Sequence, residues 1–141
     1  MLDVQVQYAT ADPHAPPARA LRRWARAALT DDVAVTLRIV GAREGRRLNL
    51  QFRDRDYATN VLTFVYGTHR PLEGDIVLCA PVVRAESSLT RGGLEAHYAH
   101  LVVHGMLHLQ GFDHERALEA ELMELVESEI VTRLGYPDPY A

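Results

Sequence analysis

The fold of this chain is constrained most strongly by a short apolar stretch with three histidines, LVVHGMLHLQGFDH. His104 and His108 stand four residues apart in it, and a helix places side chains at that spacing on one face. Gly111 can end such a helix, because glycine readily takes the left-handed conformation found at helix C-termini. The stretch therefore predicts a buried helix from Leu94 to about Leu109, followed by a turn that returns His114 toward the other two histidines.

Three imidazoles that converge on one point are typical of a site for a first-row metal ion. A single histidine in a helix is usually a packing or surface residue, but three at this spacing favour a metal site with one coordination position open. Closed zinc sites usually take four protein ligands rich in cysteine. Cys79 is the only cysteine in the chain, which argues against a purely structural site. We therefore predict His104, His108 and His114 as metal ligands.

The spacing H-x-x-x-H-x-x-G-x-x-H resembles the metal signature of the metzincin peptidases. Those enzymes carry a glutamate directly after the first histidine, and it acts as the general base. In this chain the same position is Gly105. The ligand pattern is present without the peptidase base, which makes a metallopeptidase the less favoured alternative.

Composition indicates one cytosolic domain. The 141 residues, 48% of them hydrophobic, are enough for a single domain over residues 1–141 with a sizeable core. One cysteine fits a reducing cytoplasm, and we identify neither a signal peptide nor an apolar run of the roughly 20 residues that span a bilayer. The net charge is −4, yet 13 arginines and 10 acidic residues precede residue 93, against 2 arginines and 9 acidic residues in the remainder. An anionic ligand is therefore expected to approach the first part of the chain.

Strands are predicted where apolar and polar residues alternate, over Val4–Tyr8 and Val33–Ile39. Two mostly apolar segments, Val61–Tyr66 and Asp75–Cys79, are typical of central strands. The polar segment Ala85–Gly93 is predicted to be a loop.

Helical spacing predicts a helix from Pro17 to about Leu29, a second from about Ala42 to Phe52 and a last one over Glu115–Leu134. In the last helix the residues predicted to point inward are Leu118, Leu122, Leu125, Val126, Ile130 and Leu134. Those predicted to form a solvated face are Glu119, Glu121, Glu124, Glu127 and Glu129. The order β-α-β-α-β-β-α-α indicates an α+β fold, a single domain with a small mixed four-stranded sheet packed by helices. The metal site is expected on the buried helix and the turn after it.

Four segments carry a family resemblance: HLVVHGMLHLQGFDH at His100–His114, LNLQFRDRDYATNVLTF at Leu48–Phe64, GDIVLC at Gly74–Cys79 and the ending LGYPDPY. In combination they resemble the YbeY family of metal-dependent endoribonucleases, which are linked to ribosomal RNA maturation. The resemblance runs from about Leu48 to the C-terminus, and the first 40 residues match only loosely.

The chain departs from that family's pattern beside the predicted strand Val61–Tyr66. The family's Pro-Thr-Asp is Ala58-Thr59-Asn60 here, and its serine before the phenylalanine is Thr63. Asn60 keeps a hydrogen-bond acceptor but loses a charge.

The resemblance implies one zinc ion per chain, bound by His104, His108 and His114, and it marks Arg53 as the basic residue near the metal. Zinc held by three neutral imidazoles can lower the pKa of bound water to about 7, which supplies a nucleophile without a glutamate. A guanidinium nearby would stabilise the negative charge that gathers on the phosphoryl oxygens, a contribution of roughly 3–4 kcal/mol. Arg53 and His114 are the predicted catalytic residues.

Four further residues are predicted to assist. Arg46 and Asn49 share a helical stripe with Arg53, so all three are predicted to bind substrate, with packing or a solvated face as the alternative. Asp113 adjoins a ligand and is predicted either to orient an imidazole or to cap the last helix. His100, one turn before the first ligand, is predicted to support the site from behind, with ordinary helix packing as the alternative.

The function implied by the resemblance is that of a zinc-dependent, single-strand-directed endoribonuclease. It would hydrolyse phosphodiester bonds in the maturation of the 3′ end of small-subunit ribosomal RNA and in ribosome quality control. The expected partners are ribosomal RNA and the small subunit, with ribosomal proteins or an assembly GTPase in addition, and neither a membrane nor DNA. A non-catalytic assembly factor stabilised by zinc is the other open alternative, besides the peptidase.

Overall fold

The computed structural model describes residues 1–113 and 115–141, and these residues form four strands and five helices. The elements follow in the order β1 (Leu2–Ala9), α1 (Ala18–Ala27), β2 (Val33–Val40), α2 (Ala42–Arg53), β3 (Val61–Val65), β4 (Leu72–Cys79), α3 (Ala80–Ser87), α4 (Gly93–Leu109) and α5 (Ala117–Arg133). Within these ranges, none of the helices combines the length and the apolar composition needed to cross a bilayer. The predicted α+β fold with a mixed four-stranded sheet is confirmed.

The strands lie in the order β1-β2-β4-β3, and β2 is parallel to both of its neighbours. From Val33 to Ile39 the buried side chains of β2 alternate, as the sequence predicts, and they belong to the main core. The prediction that Val61–Tyr66 is a central strand is wrong, because β3 pairs antiparallel with β4 alone and lies at the edge of the described sheet. Its apolar character has another cause: Val61 packs against the main core and Leu62 against a second, smaller one.

One helix, α3, was not predicted. It covers Ala80–Ser87, so it begins directly after the predicted strand Asp75–Cys79, and the prediction of a loop over Ala85–Gly93 is wrong for its first three residues. Pro81 is tolerated in its first turn, because the N–H that proline lacks would have no helical partner there. Eight residues are too few turns for an apolar stripe to stand out from its surroundings.

The buried helix predicted from the histidine stretch is confirmed as α4, with eleven buried residues. At Gly105 this helix lies unusually close to the sheet. An added Cβ there would lie 2.9 Å from Cγ2 of Ile76, a fully buried residue of β4. The position that holds a glutamate in metzincins therefore has no room for a side chain unless the core moves.

The face that α5 buries overlaps the predicted one only in part. Ile130 is buried as predicted, and Val126 and Leu134 pack against the main core. The buried residues of α5 are Met123, Glu127, Ile130 and Val131, whereas Leu118, Leu122 and Leu125 are exposed, Leu118 at 81%. The assignment of Glu127 to a solvated face is wrong, because this side chain is 1% exposed. The cause is a polar contact between α5 and α4, which the pattern of apolar residues along one helix does not encode.

Candidate active site

A cleft of about 560 Å³ opens beside His104 and His108 of α4. Its walls are the last turn of α2, the edge strand β3 with the loop before it, and the C-terminal half of α4 with the loop that follows. Phe52 and Arg53 reach it from α2, and His104 and His108 reach it from α4. The fold thus gathers a cation and two imidazoles from parts of the sequence that lie far apart.

His104 and His108 lie one helical turn apart and are partly exposed in a helix that is otherwise mostly buried. The third predicted ligand, His114, lies outside the described residues, so the convergence of three imidazoles stays a prediction. Asp113, which precedes it, lines the same cleft. The described part of the site therefore contains two of the three predicted ligands and the beginning of the segment that carries the third.

A buried carboxylate fixes the orientation of His104. Its ring atom Nδ1 lies 2.6 Å from Oε1 of Glu127 on α5. An ionised carboxylate only accepts hydrogen bonds, so Nδ1 carries the proton and Nε2 presents its lone pair. Histidines that bind metals usually have such a partner on the opposite ring nitrogen, which fixes the tautomer and raises the basicity of the ligand.

The same carboxylate accepts two more hydrogen bonds. Nε2 of His100 lies 2.8 Å from Oε2 of Glu127, and the hydroxyl of Tyr140 donates to the same oxygen. Burial raises the pKa of Glu127, but the hydrogen bonds from His100, His104 and Tyr140 outweigh it and bring the pKa to about 2. Glu127 is therefore an anion at neutral pH. His100 contacts this carboxylate and does not line the cleft, so it is linked to His104 through Glu127.

Glu127 is the residue of this site that sequence analysis missed. A signal exists in its spacing, because it stands four residues after Met123 and three before Ile130, inside the face that α5 buries. A lone carboxylate within a buried helical face requires polar partners. The neighbouring helix offers them at His100 and His104, which are spaced to face the same side.

Arg53 ends α2 at the cleft wall. The next residue, Asp54, takes the left-handed conformation with φ 56°. Its backbone N–H donates to the carbonyl of Leu50, and the backbone N–H of Arg55 donates to the carbonyl of Asn49. Among the ion pairs of residues 1–113 and 115–141, none involves Arg53. Its guanidinium is exposed and lines the cleft, where it can meet an anion.

Arg46 and Asn49, which were predicted to share a helical stripe with Arg53, have different surroundings. Arg46 makes a two-pronged ion pair with Asp56, with N–O distances of 2.6 and 3.0 Å, and it lies outside the cleft lining. Asn49 is buried, and its side-chain amide donates to the carbonyl of Tyr57 at 2.7 Å. Asn49 therefore ties the loop after α2 to the helix. The geometry gives no support to substrate contacts by Arg46 and Asn49, which stay predictions.

Asp113 lines the cleft, and its Oδ1 accepts a hydrogen bond from the backbone N–H of Glu115 at 3.3 Å. The alternative role predicted for it, capping the last helix, is wrong, because α5 begins at Ala117 with Arg116 as the N-cap residue. Asp113 instead binds the backbone N–H of Glu115, two residues before α5 begins.

Asn60, the departure from the family pattern, has a defined place at the cleft wall. Its Nδ2 donates to the carboxylate of Glu86 on α3 at 3.0 Å. The same carboxylate oxygen lies 2.8 Å from Nε2 of His97 on α4. An amide suits this position because an aspartate would set two carboxylates against each other. Asn60 thus joins the start of β3 to α3 and, through Glu86, to α4.

Comparison with known proteins identifies the family. The sequence model of the family described as Endoribonuclease YbeY matches residues 11–135. Endoribonuclease YbeY of Aromatoleum aromaticum is 59% identical over 126 residues, which cover 89% of this chain and 82% of that protein. Endoribonuclease YbeY of Methylobacillus flagellatus is 54% identical over 140 residues, which cover 99% and 94%.

The fold has a structural relative as well. The solution structure of a Thermotoga maritima protein matches with a TM-score of 0.59 at 24% identity, over 96% of this chain and 92% of that one. The sequence matches extend over most of the chain and include the segments that build the cleft. The chain therefore belongs to the YbeY family of endoribonucleases.

Proposed function

We propose that this chain is a zinc-dependent endoribonuclease that hydrolyses phosphodiester bonds in single-stranded RNA. It would act in the cytoplasm on the 3′ end of small-subunit ribosomal RNA and in ribosome quality control. Its partners would be that RNA and the small subunit, with ribosomal proteins or an assembly GTPase in addition. The observation that carries the proposal is the presence of Arg53, without a described ion-pair partner, in the same cleft as His104 and His108.

The donor set of the cleft fits zinc. His104 would coordinate through Nε2, because Glu127 binds its Nδ1, and His108 lies one turn further along the same helix. With His114 as a third neutral imidazole, one coordination position would stay open, as in catalytic zinc sites. Zinc bound there would supply a Lewis acid and lower the pKa of water to about 7.

The protein's own groups would bind and orient the RNA. The guanidinium of Arg53 can form two parallel hydrogen bonds with a phosphodiester, and it would stabilise the charge that builds up on the phosphoryl oxygens. Glu127 would hold the imidazole of His104 in one orientation. At Gly105 the chain offers no carboxylate that could serve as a general base, which argues against peptidase chemistry.

The test combines metal analysis with cleavage of a labelled single-stranded ribosomal RNA fragment. We expect about one zinc per chain in the wild type, in line with a catalytic site of this donor type. A His104→Ala/His108→Ala double variant should lose both the zinc and the cleavage. Arg53→Glu should keep the zinc and lose cleavage by about 100-fold or more, the usual cost of removing one charge-stabilising donor. Arg47→Glu is the matched control, because it makes the same charge change on an exposed position of the same helix, outside the cleft.

Two outcomes would contradict parts of the proposal. Full cleavage by zinc-loaded Arg53→Glu would remove the role of Arg53. Bound zinc in a wild-type protein whose cleavage does not follow the histidine variants would favour the non-catalytic assembly factor over the nuclease.

A further inference from the structure

An aromatic pair in the cleft has no part in the chemistry described so far. Phe52, in the last turn of α2, and Phe64, on β3, meet edge to face with ring centroids 5.1 Å apart and ring planes at 69°. Both line the cleft that contains His104 and His108. Phe52 is 57% exposed, so its contact with Phe64 leaves much of its ring surface uncovered.

Core packing accounts for Phe64 but not for Phe52. Phe64 packs against the smaller core cluster that includes Leu62 and Val77. Phe52 rests on Phe64 from the outer side, and an edge-to-face contact of this kind restricts the orientation of the upper ring. The result is a flat apolar surface that is ordered before any ligand binds. Such a surface lowers the entropy lost on binding.

The surroundings favour a nucleotide over an apolar protein segment. Thr59, Asn60 and Thr63 line the same cleft, so the aromatic surface has polar neighbours and is not part of a wide apolar groove. Arg53 follows Phe52 directly in the sequence and also lines the cleft. An aromatic ring and a guanidinium side by side match the two chemical parts of a nucleotide, the base and the phosphate.

We propose that Phe52, supported by Phe64, is a stacking platform for one base of the single-stranded RNA, next to the phosphate that Arg53 binds. Every base has a π-face, so the platform would accept any of the four bases. A duplex would not use it, because its bases are stacked on one another. The platform therefore gives the preference for single strands a structural cause. It rests on the proposed function, since it presumes RNA in the cleft.

The test compares kcat/KM for a labelled single-stranded RNA oligonucleotide among zinc-loaded variants. Phe52→Leu keeps an apolar side chain and removes the π-face, while Phe52→Trp keeps a larger one. Tyr57→Leu is the matched control, because Tyr57 is an aromatic residue of similar exposure, 55%, that does not line the cleft. Each protein is also tested on oligonucleotides in which one base at a time near the cut is replaced by an abasic site.

We expect Phe52→Leu to lower kcat/KM about 10-fold, within the range for one stacked base, and Phe52→Trp and Tyr57→Leu to stay close to the wild type. One abasic position should lower the wild-type value by a similar factor and have no further effect on Phe52→Leu, because both changes remove the same contact. Equal kcat/KM for wild type and Phe52→Leu, or an abasic effect that persists in full in Phe52→Leu, would overturn the platform while leaving the nuclease intact. The aromatic pair would then be a surface for a protein partner. A wild-type protein that does not cleave RNA would overturn the platform together with the proposed function.

Discussion

Replacing Glu127 by glutamine tests whether its buried charge stabilises the histidine wall of the cleft. Burial alone raises the pKa of Glu127, but three hydrogen bonds lower it from its ordinary value of 4.5 to about 2. Relative to the unfolded chain, the fold therefore stabilises the ionised form over the neutral form by about 3 kcal/mol in the metal-free protein. Glutamine has the shape of the side chain without the charge. We expect Glu127→Gln to lower the free energy of unfolding by about 3 kcal/mol, a large effect for one substitution.

The assay is urea unfolding of the metal-free proteins at pH 7, with circular dichroism as the probe of unfolding. Glu124→Gln is the control, because Glu124 lies on the same helix and is exposed, and its replacement should change stability by no more than about 0.5 kcal/mol. A second measurement, competition with a chelator, gives the zinc affinity. Loss of the partner that orients His104 should weaken it by about 10–100-fold.

The reasoning would be refuted by a Glu127→Gln protein that unfolds at the same urea concentration as Glu124→Gln. That result would mean that the contacts with His100, His104 and Tyr140 do no more than offset the desolvation of the carboxylate. An unchanged zinc affinity would refute the orienting role separately.

Two further substitutions probe the packing around the cleft. Gly105→Ala should lower the free energy of unfolding by about 1–2 kcal/mol, because the new Cβ would crowd Ile76 and the gain in helix propensity offsets only part of that cost. A variant that is as stable as the wild type in urea unfolding, or more stable, would contradict the close packing. Asn60→Asp should lower stability by about 1 kcal/mol, because it replaces a hydrogen bond to Glu86 with a contact between two carboxylates. Urea unfolding at pH 7 measures the change, and an Asn60→Asp variant as stable as the wild type would contradict the expected repulsion between the two carboxylates.

Local patterns in the sequence were enough to predict the buried helix that carries His104 and His108. The spacing of His104 and His108, the apolar residues around them and the glycine after them all act within one helix, and helical periodicity encodes such features directly. The strands at Val33–Ile39 and Val4–Tyr8 were predicted from another local pattern, the alternation of apolar and polar residues, and they extend by a residue or two in the structure.

What sequence could not predict depends on contacts between elements. The orientation of α5 is set by its packing on α4. Glu127 contacts His104 there and is buried, whereas leucines such as Leu118 and Leu122 had been predicted to point inward. The helical spacing of Arg46, Asn49 and Arg53 correctly predicted α2, but the three side chains do not share one surface. Asp56, in the loop beyond the helix, pairs with Arg46, and only Arg53 reaches the cleft. Such partners lie outside the helix itself, and the pattern of residues along one helix contains no information about them.

The close approach of α4 to the sheet also bears on how two classes of hydrolase can diverge. A glutamate after the first histidine would give the motif of a peptidase, and in sequence this is the single substitution Gly105→Glu. At Gly105, however, the first atom of any side chain meets Ile76, so the new carboxylate would require a smaller residue in β4 as well. An intermediate with only the glutamate would carry an overpacked core and lose stability before it gained a base. Anyone who wished to convert this scaffold to peptide hydrolysis would have to redesign the strand before the active site.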